Sequence, residues 1–486
     1  MQTVQKLGKL IINGESRGSR DGNVQDVLNP ATNEVIDSIP LATPEDVEEA
    51  LDVAQQGKVV WANTPTHERY EILVRYANLL QEKKGELAEI LTKENGKPLA
   101  QSEAEVDTGT RLFKGFAEKS KSLYGISAPL DAQPGLEKDV FFTRREPIGV
   151  MGAILPFNFP IDLFSHKVAP AFAAGNAVVL KPASEAPLTV IRLVELLLEA
   201  GVPKSVVQVV TGKGSVVGEL LASSPKVDIV SMTGDTNTGI RVAQNAAKHL
   251  SRTFLELGGN DALVVFDDAD LHEAVDHALF GRMWANGQCC CANKRIIVQK
   301  NVLIDFTDIM LEKIQEYKMG DPFQSDVKVG PLISQQAAEA VFSHVNDTVS
   351  QGAEIIYGGK REEACFYTPT ILNGVIKDMD VAKDLEIFGP VVPLIAFDND
   401  EEAIEIANNS IYGLSGSVFT KNIQRAMNAS YKMKTGQVAV NGTGLYRPDV
   451  SAFGGYKMSG IGREGLSVTL EELTQVKNIA LRNVLS

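Results

Sequence analysis

Three consecutive cysteines, Cys289–Cys291, follow a glycine and a glutamine in a chain that contains only four cysteines. Upstream, Glu256 stands just before the glycine pair Gly258-Gly259. A nucleophilic thiol needs a group that accepts a proton or activates a water, and a carboxylate beside a glycine turn can do both. The pairing predicts covalent catalysis by a thiol.

The cysteine run has other interpretations. Cysteine is among the most buried residue types, so the run is also compatible with packing. A metal site needs further ligands at suitable spacing, but Cys365 is isolated and the six histidines are scattered, so no metal is predicted. Disulfides are disfavoured because adjacent cysteines rarely bridge. From the residues alone, a reactive thiol and a buried structural cysteine both stay open.

Length and charge limit the class of protein. A chain of 486 residues with 44% apolar residues predicts two or three domains. The net charge of −15 argues against nucleic acid or an anionic membrane as a partner, because those surfaces need a basic face. No apolar run approaches the length of a membrane span, and the N-terminus lacks the pattern of a signal peptide. With unpaired thiols, the sequence predicts a cytoplasmic protein.

Strand and helix patterns alternate between about residues 146 and 256. The predicted strands are 150–155, 177–180, 206–210 and 227–230; the predicted helices begin at Pro187 and cover 215–221 and 238–250. This alternation favours a doubly wound parallel sheet, which binds ligands at the carboxyl ends of its strands.

A second αβ section runs from about residue 258 to 446, with predicted strands at 262–266, 295–299 and 391–397. Two extended pieces, at 140–143 and 476–485, lie far apart in sequence. They can pair with each other and offer an edge to another subunit. The expected class is therefore α/β: a doubly wound sheet domain, a second α/β domain and a small β flap.

Glycine patterns in the first section are compatible with a dinucleotide. Gly212, Gly214 and Gly218 form a glycine-rich turn one residue longer than the usual fingerprint. Thr233–Gly239 opens a predicted helix, which is a favourable position for phosphate. Lys181 ends a predicted strand, where it can reach ribose or phosphate or simply be solvated. None of these patterns decides the question alone.

Together the motifs resemble the aldehyde dehydrogenase superfamily, in order and over nearly the whole chain. The matching stretches are Pro156–Pro160, Lys181–Ser184, Thr233–Gly239, Leu255–Gly259, Gly287–Cys290, Glu386–Val391 and Phe453–Gly460, followed by Gly462–Glu464. The resemblance implies oxidation of an aldehyde to an acid with NAD(P) and water, through a thiohemiacetal and a thioester. It also implies a homodimer or homotetramer.

The resemblance implies a role for each matching residue. Cys290 is the nucleophile, Glu256 the general base and Asn158 an oxyanion-hole donor, while Lys167 and Glu464 orient water and relay protons. The expected cofactor-binding residues are Pro156, Phe157, Lys181, Ser184, Gly214, Gly218, Thr233, Gly234, Gly239, Leu257, Glu386 and Phe388. The implied domains are dinucleotide-binding (1–123 and 147–256), catalytic (257–446) and oligomerising (124–146 and 467–486).

Two departures bear on specificity. Ser184 stands where NAD-preferring relatives carry a glutamate, so NADP is favoured and NAD use stays possible, with Glu185 able to restore some repulsion. The expected substrate wall is Phe159, His166, Trp284, Arg447 and Phe453. Relatives that take apolar aldehydes have rings at the positions of His166 and Arg447.

A buried cation such as Arg447 needs an anionic partner or water, so the sequence favours an aldehyde that bears a carboxylate or a hydroxyl group. A semialdehyde such as succinate semialdehyde comes first, and a small hydroxyaldehyde next. In the alternative, Arg447 faces solvent or pairs with Asp449. Two other activities remain open: a CoA-acylating enzyme, which the presence of Glu256 disfavours, and a non-catalytic homologue.

Overall fold

Two mostly parallel sheets organise the chain, of which the computed structural model describes residues 7–486. The strands are β1 Leu10–Ile12, β2 Glu15–Arg17, β3 Val24–Leu28, β4 Val35–Pro40, β5 Ser127–Ala128, β6 Val140–Pro147, β7 Val150–Ile154, β8 Ala177–Lys181, β9 Val207–Val209, β10 Ile229–Thr233, β11 Arg252–Glu256, β12 Asp261–Val265, β13 Asn293–Gln299, β14 Glu354–Tyr357, β15 Thr370–Val375, β16 Val391–Phe397, β17 Gly416–Phe419, β18 Ala439–Val440, β19 Gly460–Ile461 and β20 Thr474–Leu481. The α-helices are α1 Pro44–Asn63, α2 Thr66–Glu82, α3 Lys84–Asn95, α4 Leu99–Ser120, α5 Pro160–Ala174, α6 Leu188–Glu199, α7 Glu219–Ser223, α8 Thr236–Ala246, α9 Leu271–Met283, α10 Leu303–Lys313, α11 Gln335–Ser350, α12 Asp400–Asn408, α13 Ile423–Lys432 and α14 Thr469–Glu472.

The first sheet has the order β19-β11-β10-β7-β8-β9-β1-β2, and β7 to β11 run parallel. β7, β8 and β10 are buried along their whole length, as expected for apolar runs covered on both faces by helices. The strand predicted at 227–230 begins later, at Ile229. The reason is that Asp228 turns its carboxylate to the N–H of Val150, 2.8 Å away, and so ends the preceding loop.

Strand order creates a crevice in this sheet. The chain runs outward through β7, β8 and β9 and then returns to form β10 on the other side of β7. Ligands bind outside the carboxyl ends of strands at such a switch point. Pro156–Asn158 follows β7, and Gly234 follows β10. The topology therefore brings these two predicted motifs to one crevice.

The predicted helix at 215–221 is only partly correct. Residues Gly214–Gly218 form a π-helical turn, and α7 follows from Glu219 to Ser223. The glycines at both ends of the turn lack the side chains that would crowd a wide turn, which accounts for the departure from a regular helix.

The second sheet has the order β14-β15-β16-β13-β12-β17-β18, parallel except for β14. A three-stranded sheet, β20-β6-β5, stands apart from both large sheets. Its strands β6 and β20 pair antiparallel from Pro147 opposite Thr474 to Val140 opposite Leu481, so the predicted pairing of the two extended pieces is confirmed. The predicted α/β class is also confirmed.

One large core fills both faces of the first sheet, with Phe113, Phe164 and Phe172 among its fully buried side chains. Two further clusters cover the two faces of the second sheet. Within the described residues, no helix combines the length and the apolar character that crossing a membrane requires.

Candidate active site

The cysteines follow a strained turn between α9 and β13. Ala285, Asn286 and Gly287 have φ values of 50°, 59° and 79°, in the left-handed region. Such a conformation costs a non-glycine residue about 1–2 kcal/mol. A Cβ atom on Gly287 would lie 2.2 Å from the carbonyl carbon of Gly389, so this position requires glycine. Contacts with the surrounding structure must therefore stabilise this turn.

Buried side chains fasten this turn. Asn286 donates to the carbonyl of Pro331 at 2.8 Å and accepts from the N–H of Gly330 at 2.7 Å. Gln288 accepts from the N–H of Ile333 at 2.9 Å. Both side chains tie the turn to the segment that precedes α11.

Arg282, the other clamp of the turn, is fully buried near the end of α9. Its guanidinium donates to the carbonyl of Gly287 at 3.1 Å and to those of Ile387, Gly389 and Val391. Burial lowers the pKa of Arg282 to about 10, so it remains a cation at neutral pH. Arg282 thus joins the cysteine turn to the segment that carries Glu386 and Phe388. Sequence reasoning missed it because nothing in its local pattern marks a buried arginine.

The three thiols form one cluster, with all sulfurs within 4.8 Å of one another and Cys289 Sγ 3.5 Å from Cys291 Sγ. Cys289 and Cys291 are buried, whereas Cys290 is half-buried. The hydrogen bond with Cys289, together with burial, raises the pKa of Cys290 to about 12. Charge on one thiol thus opposes ionisation of its neighbours.

Glu256 ends β11 and is buried. Neither carboxylate oxygen has a hydrogen-bond partner among the described residues. Burial, followed by the nearby charges of Cys290 and Glu464, raises the pKa of Glu256 well above its usual range. A carboxyl group with a raised pKa and two free oxygens beside a thiol has the properties of a general base.

Asn158 lies in the crevice after β7 and donates its amide to the carbonyl of Gln288 at 3.0 Å. The backbone carbonyl of Asn158 accepts from Lys97 Nζ at 2.6 Å. Lys97 is buried and paired with Glu105, whose other oxygen accepts from the N–H of Ile161 at 2.7 Å, at the start of α5. Lys97 and Glu105 thus position Asn158 and α5. No motif marked either one in the sequence.

A buried charge cluster stands behind the cysteines. Lys167 Nζ lies 2.8 Å from one oxygen of Glu464, and an Arg447 nitrogen lies 3.1 Å from the other. Burial opposes ionisation of Glu464, but Lys167, His166 and Arg447 outweigh it and lower the pKa to about 2. The alternative that pairs Arg447 with Asp449 is wrong, because Asp449 pairs with Arg111 at 3.2 Å.

A cavity of about 270 Å³ opens on one side of Cys290. Its lining includes the predicted residues Phe159, His166, Trp284 and Arg447. Phe453 does not line it; its buried ring lies behind the wall, 4.1 Å from the Arg447 guanidinium. Burial, reinforced by the charge of Arg447, lowers the pKa of His166 to about 4, so this wall holds a neutral imidazole.

A second cavity, of about 410 Å³, opens on the other side of Cys290, in the crevice at the switch point. The predicted residues in its lining are Pro156, Phe157, Asn158, Thr233, Gly234, Glu256, Leu257, Glu386 and Phe388. Lys294, which the sequence did not reveal, lies 3.1 Å from Glu386 and holds this carboxylate in place. The aromatic rings of Phe157 and Phe388 meet edge to face at 6.1 Å.

The other predicted cofactor residues lie outside this lining. Gly239 packs on Leu257, and a Cβ there would lie 2.5 Å from that side chain. Gly218 is buried near the Lys181 side chain, whereas Gly214 is exposed. At the start of α8, Asp235 already accepts from the N–H of Thr238, so this helix end presents a carboxylate as well as free N–H groups.

Lys181 and Ser184 flank the end of β8. Lys181 Nζ donates to the carbonyl of Pro182 at 2.9 Å, and Ser184 Oγ donates to that of Gly212 at 3.3 Å. Burial lowers the pKa of Lys181 to about 8, although the carboxylate of Glu185 opposes the shift. Ser184 and Glu185 line one groove together, so the glutamate expected to limit the NADP preference faces the same space as Ser184.

Of the described residues, only Cys290 lines both cavities. A thiol between two cavities, one of them at the switch point of a doubly wound sheet, is the arrangement that a cysteine-dependent nicotinamide oxidoreductase requires. The comparison with protein-family models narrows the class. The model of the aldehyde dehydrogenase family matches residues 17–479, and the chain belongs to this family.

Relatives agree with this assignment. The chain is 39% identical to a lactaldehyde dehydrogenase of Methanocaldococcus jannaschii over 460 residues, which cover 94% of this chain and 97% of the relative. It is 36% identical to a succinate-semialdehyde dehydrogenase [NADP(+)] of Escherichia coli over 474 residues, with 97% of each chain covered. A crystal structure of an aldehyde dehydrogenase from Brucella melitensis biovar abortus superposes with a TM-score of 0.95 at 38% identity, covering 99% of both chains. The resemblance found in the sequence is confirmed, and the protein is an NAD(P)-dependent aldehyde dehydrogenase.

Proposed function

We propose that Cys290 is the nucleophile with which this aldehyde dehydrogenase oxidises a small polar aldehyde to its acid, using water and NADP or NAD. The observation that carries the proposal is the position of Cys290 between the two cavities. An aldehyde in the smaller cavity and a nicotinamide in the larger one would both reach this sulfur. The neighbouring thiols are buried and line only the smaller cavity.

In the first step the Cys290 sulfur adds to the aldehyde carbon and forms a thiohemiacetal. The developing alkoxide needs fixed donors, and the Asn158 amide and the backbone N–H of Cys290 fill this role. One such donor is worth about 2.7–4 kcal/mol of transition-state stabilisation. The contacts of Asn158 support the role: Lys97 holds its backbone carbonyl, and the carbonyl of Gln288 orients its side-chain amide before the substrate arrives.

Hydride acceptance is the chemistry that a bound nicotinamide supplies. The crevice fits such a group: Phe157, Phe388 and Leu257 give apolar walls, and Glu386 gives a carboxylate fixed by Lys294. The amide N–H of Gly259 also donates to Glu386 at 3.3 Å. This contact orients the Glu386 carboxylate toward a ribose hydroxyl before the cofactor binds.

Loss of a hydride and a proton from the thiohemiacetal leaves Cys290 as a thioester. Glu256 then accepts a proton from water, which attacks the thioester and releases the carboxylic acid and the Cys290 thiol. Its two buried oxygens without partners support this role, because they leave room for a water hydrogen bond. The second candidate, release of the acyl group to CoA, does not need this base. The presence of Glu256 at the thiol therefore favours hydrolysis. The charge cluster of Lys167 and Glu464 would relay the released proton.

NADP is the favoured cofactor, with NAD possible. Lys181 supplies a positive charge, and Ser184 places no carboxylate against a 2′-phosphate. Glu185 limits the preference, because it shares the groove with Ser184. The E. coli relative bears NADP(+) in its name, which agrees with this order.

The substrate is a semialdehyde such as succinate semialdehyde or a small hydroxyaldehyde. Both classes appear in the names of relatives, and both agree with the polar wall formed by His166 and Arg447.

We also propose the division into a dinucleotide-binding domain (1–123 and 147–256), a catalytic domain (257–446) and an oligomerisation segment (124–146 and 467–486). Exposed Val476 and Leu481 on β20 support a contact of this segment with a second copy in a dimer or tetramer. The four free thiols agree with a reducing cytoplasm.

Reduction of NADP and NAD should be followed at 340 nm with a panel of aldehydes, and the acid product should be identified. We expect acid formation without CoA and a higher kcat/KM with NADP. Aldehyde-dependent reduction that requires CoA would replace the hydrolytic proposal with the acylating one.

A further inference from the structure

We infer that Asp162 makes this active site select aldehydes that carry a hydroxyl group, in preference to those that carry a carboxylate. The inference rests on the proposed function and chooses between its two substrate classes. Asp162 lies in the first turn of α5 and lines the same cavity as Cys290. Asp162 lies in none of the motifs found in the sequence, and the family resemblance implied no role for it.

Three residues that line this cavity each carry a buried polar atom with no partner in the described part of the chain. Asp162 Oδ1, His166 Nδ1 and Arg447 Nε are buried, and none has a hydrogen-bond partner in residues 7–486. Buried polar atoms in proteins are nearly always paired, so a cluster of exceptions indicates a ligand that completes them. The cluster offers an anionic acceptor in Asp162 and a charged donor in Arg447. A hydroxyl group can donate to the first and accept from the second.

The charges around the cavity disfavour an anionic tail. Its cations already have carboxylate partners: Arg447 with Glu464 at 3.1 Å and Arg111 with Asp449 at 3.2 Å. In the described chain, no lysine or arginine nitrogen lies within 4.0 Å of Asp162; only His166 Nε2 approaches, at 3.6 Å.

His166 does not neutralise Asp162. The groups packed around this imidazole are Arg447, Asp162, Glu464 and Lys167, and burial keeps it uncharged at neutral pH. A substrate carboxylate would therefore meet the carboxylate of Asp162 in a partly dry cavity.

The fold fixes Asp162 in this position. Its backbone N–H donates to Glu105 at 3.1 Å, and Glu105 is held by Lys97. One helical turn separates Asp162 from His166, so both side chains project from the same face of α5 into the cavity. The cavity encloses only about 270 Å³, which places the hydroxyl within a few bonds of the aldehyde carbon held at Cys290.

The test compares kcat/KM for matched aldehydes: 2-hydroxypropanal against propanal, and 4-oxobutanoate against butanal. The wild type should prefer 2-hydroxypropanal over propanal by about tenfold or more. Asp162→Ala should remove that preference, mainly through KM for the hydroxyaldehyde, and leave propanal within about threefold. Asp162→Asn, of nearly the same shape but without charge, should raise kcat/KM for 4-oxobutanoate. Asp308→Asn, at an exposed position of α10, is the matched control.

A wild type that uses 4-oxobutanoate better than 2-hydroxypropanal would overturn the inference, and so would an equal loss for all four aldehydes in Asp162→Ala. Retained propanal oxidation shows that a variant is folded. Failure of the wild type to oxidise any aldehyde would instead refute the proposed function, so the two failures are distinguishable.

Discussion

The turn that carries the cysteines and the cavity wall that faces them differ in how their buried polar groups are hydrogen-bonded. In the turn, the side chains of Arg282, Asn286 and Gln288 form hydrogen bonds with neighbouring backbone groups. These bonds stabilise the left-handed conformation of the turn. On the wall, Asp162 and Arg447 each keep a buried polar atom that has no partner within residues 7–486.

The difference separates two demands on an active site. The sulfur must sit in one place, and internal hydrogen bonds achieve this before any ligand arrives. Selection of a substrate requires polar groups that remain free until the ligand pairs with them. Changes in the turn should therefore affect all substrates alike, whereas changes in the wall should discriminate among them.

The largest effect is expected at the sulfur itself. Cys290→Ala removes the covalent step and should reduce kcat by roughly 10⁴-fold or more for every aldehyde. Cys289→Ala and Cys291→Ala should keep substantial turnover. The measurement is cofactor reduction by each purified variant. An inactive Cys291→Ala enzyme together with an active Cys290→Ala enzyme would show that Cys291, not Cys290, is the nucleophile.

The thiol cluster adds a pH-dependent readout. Because Cys289 raises the pKa of Cys290, Cys289→Ala should shift alkylation of Cys290 by iodoacetamide to lower pH. Mass spectrometry of the labelled peptide locates the modification. An unchanged pH profile of alkylation would show that Cys289 does not affect the ionisation of Cys290.

Glu256→Gln should give the next largest effect. If Glu256 serves deacylation, a rapid burst of reduced cofactor should remain while steady turnover falls by roughly 10²–10⁴-fold. The carboxylate is the active form and its pKa is raised, so the wild-type steady rate should increase with pH and the variant should lose that dependence. Loss of the burst would assign Glu256 mainly to activation of the thiol.

Glu256 and Lys97 show which parts of the site can be predicted from the sequence and which cannot. Glu256 and Cys290 each lie in a motif that is recognisable in the sequence, and the fold brings these motifs together although β11 and β13 belong to different sheets. The strands themselves are readable because buried apolar runs such as β7 and β8 carry a clear pattern. The sequence also indicates that the two extended pieces which contain β6 and β20 can pair, whereas the structure supplies their register.

Lys97, by contrast, lies between α3 and α4 and contacts Asn158 across a long stretch of chain, while its partner Glu105 lies on α4. Such contacts depend on the tertiary packing of α3, α4 and α5, which no local pattern encodes. The pairing of Arg447 with Glu464 rather than with Asp449 is of the same kind. Proximity in sequence favoured Asp449, and the packing of the 447–464 loop decided otherwise.

Arg282→Met tests the rigid side of the comparison. The substitution leaves four buried carbonyl groups without their donor, each at a cost of about 1–3 kcal/mol, partly relieved by relaxation. We expect at least about 3 kcal/mol of lost stability, measured as a lower thermal midpoint, and equal fractional losses of activity on all aldehydes. Arg361→Met, which breaks a surface pair with Glu339, is the control and should change little.

The smallest effect concerns the cofactor and lies away from both the turn and the wall. Ser184→Glu places a second carboxylate in the groove that Ser184 and Glu185 line, and should lower kcat/KM with NADP by roughly tenfold while sparing NAD. In the wild type the ratio of kcat/KM for NADP to that for NAD should fall as pH rises past about 8, because Lys181 loses its charge there. Ser224→Glu, at another loop position, serves as the charge control. A wild-type preference for NAD would contradict this assignment and identify Glu185 as the carboxylate that meets the ribose, since it already shares the groove.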